Sequence, residues 1–180
     1  MRVISGKAGG TTLETIFGDD TRPTTDRVKE SLFSMIQFEI KDKRVLDLFA
    51  GSGALGIESA SRGAKEVVLV ENNRACKNII KQNIDNSNLK NIKLYMKDSF
   101  DFLEKNNESF DIVFLDPPYF KSLEKKAIEK ILEKNILNLN GLIIVEKDKK
   151  DKVRLEFDGL ETIKEKKYGR SIIVIFRRIK

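Results

Sequence analysis

From residue 44 to residue 145 the chain repeats one pattern: a short apolar run, a turn, then apolar residues at helical spacing. The runs Val45–Phe49, Val67–Val70, Ile92–Met96, Phe110–Leu115 and Leu142–Val145 read as strands. Val67–Val70 and Leu142–Val145 are continuously apolar, and Val45–Phe49 reads as a short buried strand. Between them Ala54–Ser61 (ended by Gly63), Ala75–Ile84, Ser99–Lys105 and Leu123–Leu137 read as helices. Alternating strand and helix imply an α/β fold, a Rossmann-like, mostly parallel sheet with helices on both faces. Glu161–Tyr168 and Ser171–Ile179 predict a terminal antiparallel hairpin turning at Gly169. Upstream, Val28, Leu32, Met35 and Ile36 predict an amphipathic helix over 26–38. Arg2-Val3-Ile4 and Thr11 to Phe17, around Gly6, Gly9 and Gly10, predict a small N-terminal β-hairpin extension.

A chain of 180 residues is expected to form a single domain, residues 1–180, with 1–22 as the hairpin extension. No apolar run approaches the roughly 18 residues that cross a bilayer, and Met1 to Gly6 lacks the apolar stretch of a signal peptide. A cytoplasmic location is the expectation. Cys76 is the only cysteine and histidine is absent. That excludes an internal disulfide and catalysis by a histidine base, and it argues against a zinc site, so no metal is expected. The net charge of +6 is uneven: residues 120–180 hold 17 basic and 10 acidic groups, net +7. Such an excess suits either a lysine-rich solvated surface or attraction to a polyanion such as nucleic acid.

Ligands of parallel sheets bind beyond the C-terminal ends of the strands. Gly51 to Gly53, Glu71, Asp98 and Asp116 to Tyr119 all fall just past such ends. Gly51-x-Gly53-x-x-Gly56, with Glu71 twenty residues after Gly51, matches the fingerprint in which glycines admit a ligand close to the backbone and a carboxylate takes ribose hydroxyls. The pattern means a nucleoside-bearing cofactor and leaves its identity open, because S-adenosylmethionine and NAD share adenosine. Asp98 can accept from an adenine amine, or cap the helix that begins at Ser99, or both.

Asp116-Pro117-Pro118-Tyr119 points to the chemistry. Two prolines stiffen the turn and remove two backbone donors. The Asp116 carboxylate and the Pro117 carbonyl remain as acceptors on a rigid edge. An exocyclic amine conjugated to a ring is a poor nucleophile, and two acceptors on its N–H groups hold its lone pair toward an electrophile. Tyr119 offers a ring for stacking, worth roughly 1–3 kcal/mol per base. Positioning and electrostatics then suffice for methyl transfer from S-adenosylmethionine.

These motifs resemble those of class I S-adenosylmethionine-dependent methyltransferases that methylate amines. The likeness rests on Asp47-Leu48-Phe49-Ala50-Gly51-Ser52-Gly53 followed by Asp116-Pro117-Pro118-Tyr119. Arg22-Pro23-Thr24-Thr25-Asp26-Arg27-Val28-Lys29-Glu30-Ser31-Leu32-Phe33 resembles, more narrowly, the RsmD family of bacterial 16S rRNA guanine-N2 methyltransferases. The opening Arg2-Val3-Ile4-Ser5-Gly6 and the closing Tyr168-Gly169-Arg170-Ser171 extend the likeness nearly end to end. It implies a seven-stranded methyltransferase fold with an N-terminal hairpin that contacts RNA. The implied target is the N2 amine of guanine 966 in the helix 31 loop of 16S rRNA, in the small ribosomal subunit or an assembly intermediate. By position, Asp47, Gly51, Gly53, Glu71 and Asp98 would bind S-adenosylmethionine. Asp116, Pro117 and Tyr119 would hold the guanine, Arg22 and Thr24 would lie at the mouth of the site, and the enzyme would act as a monomer.

Rival readings remain at this level. An NAD-dependent oxidoreductase accounts for the glycine motif but leaves Asp116 to Tyr119 without a task. A non-catalytic RNA-binding module accounts for the basic C-terminal third only. Within methyltransferases, adenine N6 in DNA or RNA and glutamine in protein present the same planar NH2.

Overall fold

The computed structural model describes residues 1–15, 26–118, 122–151 and 153–180. Along them run α1 (Asp26–Met35), β1 (Arg44–Asp47), α2 (Ala54–Ser61), β2 (Glu66–Glu71), α3 (Arg74–Ser87) and β3 (Ile92–Met96). There follow α4 (Ser99–Lys105), β4 (Phe110–Leu115), α5 (Leu123–Glu133), β5 (Leu137–Asp148), β6 (Leu160–Tyr168) and β7 (Ser171–Arg178). The strands form one sheet in the order β3-β2-β1-β4-β5-β7-β6. β1 to β5 are mutually parallel, and β7 enters antiparallel between β5 and β6.

Alternation of side chains along each strand divides the apolar runs between two layers. Val45, Leu69, Phe114, Ile144 and Ile173 meet Leu32 and Phe33 of α1, Leu55 of α2 and Ile80 of α3 on one face. Leu46, Val70, Val113, Ile143 and Val174 meet Phe102 and Leu103 of α4 and Ile128 and Ile131 of α5 on the other. Full burial of each such side chain contributes roughly 1.5–3 kcal/mol, so both layers favour this single register. Among the described residues no helix is long and apolar enough to cross a membrane.

Several boundaries differ from the sequence reading: β1 ends at Asp47, α3 runs to Ser87 and β5 to Asp148, and three further differences change the local structure. The helix expected over 26–38 stops at Met35, and Glu39 N–H donates to the Ile36 carbonyl in a closing turn. The helix expected to run to Leu137 stops at Glu133. Asn135 there takes φ 54°; its N–H donates to the Leu132 carbonyl and that of Ile136 to the Ile131 carbonyl. This double bond is a left-handed helix terminus with asparagine in the place usually held by glycine. Ile136 keeps helical spacing with Ile128 and Leu132, which hid the stop, yet it and Leu137 are buried at the start of a strand. β5 accordingly begins at Leu137 rather than Leu142. Its register against β4 jumps from Phe110↔Leu137 to Ile112↔Leu142, so residues 138–141 form a bulge.

Among the described residues the N-terminal segment makes one antiparallel bridge, Arg2↔Thr12; residues 16 and 17 of the expected hairpin lie outside the described residues. Val3, Ala8 and Leu13 pack on Ala54 and Ile57 of α2. The anchor beneath is polar. Glu58 of α2 is fully buried and accepts from Ile4 N–H at 2.8 Å, Ser5 N–H at 3.1 Å and Arg62 Nε at 2.7 Å. Lys29 of α1, equally buried, lies 3.2 Å from Glu58 and donates to the Arg2 carbonyl. Burial lowers the Lys29 pKa, and Glu58 opposes that fall. Four hydrogen-bonded partners around one carboxylate make this buried charge tolerable, and they join the N-terminal segment, α1 and α2 into one unit.

Candidate active site

Strand order reverses between β1 and β4, since the chain passes outward from β1 to β2 and β3 and then returns to the far side of β1. Such a reversal leaves a crevice at the C-terminal strand ends. Register places both motifs there. Asp47 pairs with Phe114 across β1 and β4, so the turn after Asp47 and the segment after Leu115 leave the sheet side by side. Asp47 also pairs with Leu69, and Glu71 pairs with Met96. Glu71 and Asp98 therefore stand at the ends of the next two strands, about 4.8 Å apart per strand.

The turn 48–53 is held from several directions. Ala50 N–H donates to the Val70 carbonyl at 3.0 Å and Gly53 N–H to the Ala50 carbonyl at 2.7 Å. Glu71 accepts from Gly51 N–H with one oxygen and from Asn73 N–H with the other, both at 2.8 Å. Gly51 takes φ 56°, and among the described residues nothing lies within 4 Å of where a Cβ would stand. The positive φ is thus the constraint that favours glycine. Gly56 is different, because a Cβ there would stand 2.1 Å from Leu69. Glycine at this position lets α2 lie directly on β2.

Asp47 lies beneath this turn rather than on its surface. It is 1% exposed, and one oxygen accepts from Gly56 N–H at 3.1 Å. The other has no hydrogen-bond partner among the described residues. Burial pushes its pKa up to about 7, the Gly56 bond opposes this, and the charge on Glu71 adds to the rise. Asp98 is exposed and caps α4, accepting from Phe100 N–H at 2.8 Å and Asp101 N–H at 3.1 Å. On the other side of the crevice Asp116 is half-buried, Pro117 buried and Pro118 exposed. Tyr119, Arg22 and Thr24 lie outside the described residues.

Two supporting residues escaped the sequence reading. Asn83, fully buried on α3, donates one amide hydrogen to the Ser52 carbonyl and one to the Glu14 carbonyl, both at 2.9 Å. Its oxygen accepts from Glu14 N–H at 2.8 Å. Ser99 donates to the Leu48 carbonyl at 2.7 Å. The available signal was a polar residue on an apolar helix stripe, since Asn83 continues the line of Cys76 and Ile80.

These donors and acceptors fit an adenosine-bearing group. Glu71 and Asp98 offer carboxylate lone pairs on neighbouring strand ends, and among the described residues nothing stands within 4 Å of a Cβ built on Gly51. Insertion of antiparallel β7 departs from the parallel 3-2-1-4-5-6 order of dinucleotide-binding sheets. That weighs against the oxidoreductase reading.

Comparison with known proteins agrees. The family described as conserved hypothetical protein 95 matches residues 1–177. A Haemophilus influenzae protein named ribosomal RNA small subunit methyltransferase D is 38% identical over 173 residues, which cover 94% of this chain and 89% of that one. The Escherichia coli K12 protein of the same name is 35% identical over 148 residues, 82% of this chain and 75% of that one. The solved Escherichia coli structure of yhhF is 32% identical and superposes with a TM-score of 0.89, covering 99% of this chain and 98% of that one.

Proposed function

The chain belongs to the RsmD family, described as conserved hypothetical protein 95, and from that premise we propose that it is an S-adenosylmethionine-dependent methyltransferase of small-subunit ribosomal RNA, acting on the exocyclic N2 of a guanine. The observation that carries this reading is the pairing of Asp47 with Phe114. It brings the turn after Asp47 and the segment after Leu115 side by side at one strand-order reversal, which supports one site shared by cofactor and amine.

When bound, S-adenosylmethionine supplies a methyl group on a sulfonium, an electrophile that needs no metal. The chain supplies position. Glu71 takes the ribose hydroxyls while keeping Gly51 and Asn73 in place, Asp98 takes the adenine amine, and the backbone at Gly51 lies against the ligand. Asp47 supports that turn through Gly56. Across the crevice the Asp116 carboxylate and the Pro117 carbonyl each accept an N–H of the target amine. The lone pair of that nitrogen then faces the cofactor half of the crevice. Tyr119 stacks on the base, with Arg22 and Thr24 at the mouth. Holding reactants in this way supplies several kcal/mol of barrier lowering without covalent chemistry. A guanine must leave its stack to enter, which costs a few kcal/mol and favours an exposed loop of the small subunit or of an assembly intermediate.

Labelled S-adenosylmethionine incubated with unmethylated small subunits tests the reading. N2-methylguanine at one site is the expected product. Label in N6-methyladenine, or in protein, moves the chain to another branch of the superfamily.

A further inference from the structure

The C-terminal edge of the sheet continues past β4. Val145 pairs with Leu115, so Asp148, three residues on, is level with Pro118. Asp148 pairs with Ser171, and Ser171 with Tyr168. The end of β5 and the tip of the β6–β7 hairpin therefore share an edge with Asp116. At about 4.8 Å per strand, the tip lies three strands or roughly 14 Å from β4.

Cations line this stretch. Lys149 and Lys150 follow β5, Lys166 and Lys167 end β6, and Arg170 makes the turn; all five are exposed. Lys149 N–H donates to the Arg170 carbonyl, which ties the loop to the tip. Arg170 pairs with Asp148 at 3.3 Å. Lys166 touches the Ser31 hydroxyl and the Tyr168 ring, but none of the four lysines makes an ion pair among the described residues. Elsewhere the cations are divided: Arg44 lies on Glu66, Lys130 on Glu104 and Lys180 on Asp158, while Lys41, Lys43, Lys65 and Lys90 likewise make no ion pair among the described residues. What sets this group apart is its place on the edge that carries Asp116. Edge strands carry lysines to deter pairing with other sheets, which would account for Lys166 and Lys167. It does not account for Lys149 and Lys150, which lie two strands in from that edge. The strand ends on the other side of Asp116 carry Asp98, Glu71 and Asp47, so the edge has a cofactor half and a cationic half.

We infer that Lys149, Lys150, Lys166, Lys167 and Arg170 form the surface on which the RNA strand flanking the target base lays its phosphates. This rests on the methyltransferase reading above and adds where the substrate docks. Phosphate contacts fix register and orientation without reading sequence. Lysines without an acidic partner are ready to release the counterions of a polyanion.

The test compares two variants of equal charge. One replaces Lys149, Lys150, Lys166 and Lys167 by alanine. The other replaces Lys41, Lys43, Lys65 and Lys90, which lie before β1, β2 and β3 on the opposite edge. Binding to unmethylated small subunits is measured against salt, together with KM for the subunits and affinity for S-adenosylhomocysteine. The first variant should lose at least about tenfold in subunit affinity, and its salt slope should fall by about 0.7 per lost contact, approaching 3 for four. Affinity for S-adenosylhomocysteine should be unchanged in both. Equal losses in the two variants would show that only net charge matters, and no loss in the first would show that the RNA lies elsewhere; either overturns the surface. Failure of the unaltered chain to methylate RNA would instead overturn the reading beneath it.

Discussion

Replacing Asp47 by asparagine should change how stability depends on pH. The carboxyl is buried under the 48–53 turn with one unpartnered oxygen and Glu71 nearby. Its pKa rises from 3.8 to about 7 on folding, so between those values the folded chain binds a proton that the unfolded chain does not. Stability linked to this group is therefore fully present below about pH 4 and is lost as pH rises through about 7. At about 1.36 kcal/mol per pH unit, the loss is about 4 kcal/mol at its fullest. The asparagine side chain carries no charge at any of these pH values, and its amide oxygen can still accept from Gly56 N–H. Any packing cost of the substitution is common to all pH values, so the informative quantity is the gap between the two melting curves as pH changes. For a chain of this size 1 kcal/mol corresponds to about 2–4 °C in Tm. The gap should therefore move by about 8–16 °C in favour of Asp47→Asn between pH 4 and pH 8, then stay level. Thermal unfolding followed by circular dichroism across that range reads it directly. Melting temperatures that run parallel throughout would refute the reasoning, because they would mean that Asp47 ionises in the folded chain as readily as in the unfolded one.

Glu71→Ala removes the acceptor proposed for the ribose and the partner of Gly51 N–H; calorimetry should show weaker S-adenosylhomocysteine binding in a chain that still folds, and unchanged affinity would remove Glu71 from the cofactor site. Asp116→Ala should lower turnover on the order of 100-fold through misplacement of the amine while cofactor affinity holds. If cofactor affinity falls in parallel, Asp116 belongs to the other half of the crevice. Tyr119→Phe should keep most single-turnover activity and Tyr119→Ala should not, since stacking needs the ring alone; equal inactivity would assign the role to the hydroxyl. Glu58→Ala leaves Lys29 buried without its counter-charge and should cost about 3–5 kcal/mol in denaturant unfolding, and a loss below about 1 kcal/mol would mean that water reaches Lys29.

Much of this architecture follows from local pattern. Short apolar-rich runs alternating with helical spacing marked the parallel strands, the glycines at 51, 53 and 56 marked a close turn, and the acids at 71, 98 and 116 marked strand ends. Each is a statement about a residue and its near neighbours in the chain, and side-chain periodicity and backbone sterics act at that range. The end of α5 was already harder, because Ile136 satisfies helical spacing while Asn135 closes the helix through backbone bonds. What only the tertiary structure decided was which distant groups meet. Nothing near Asn83 in the chain announces that it binds Glu14 and Ser52, and nothing near Asp47 announces that its carboxyl is sealed beneath the turn and not presented on it. The hydrogen-bond partners of a polar side chain, and the water it loses on burial, are set by how layers pack. The strand order that packs β1 against both β2 and β4 is therefore what turns separate motifs into one site.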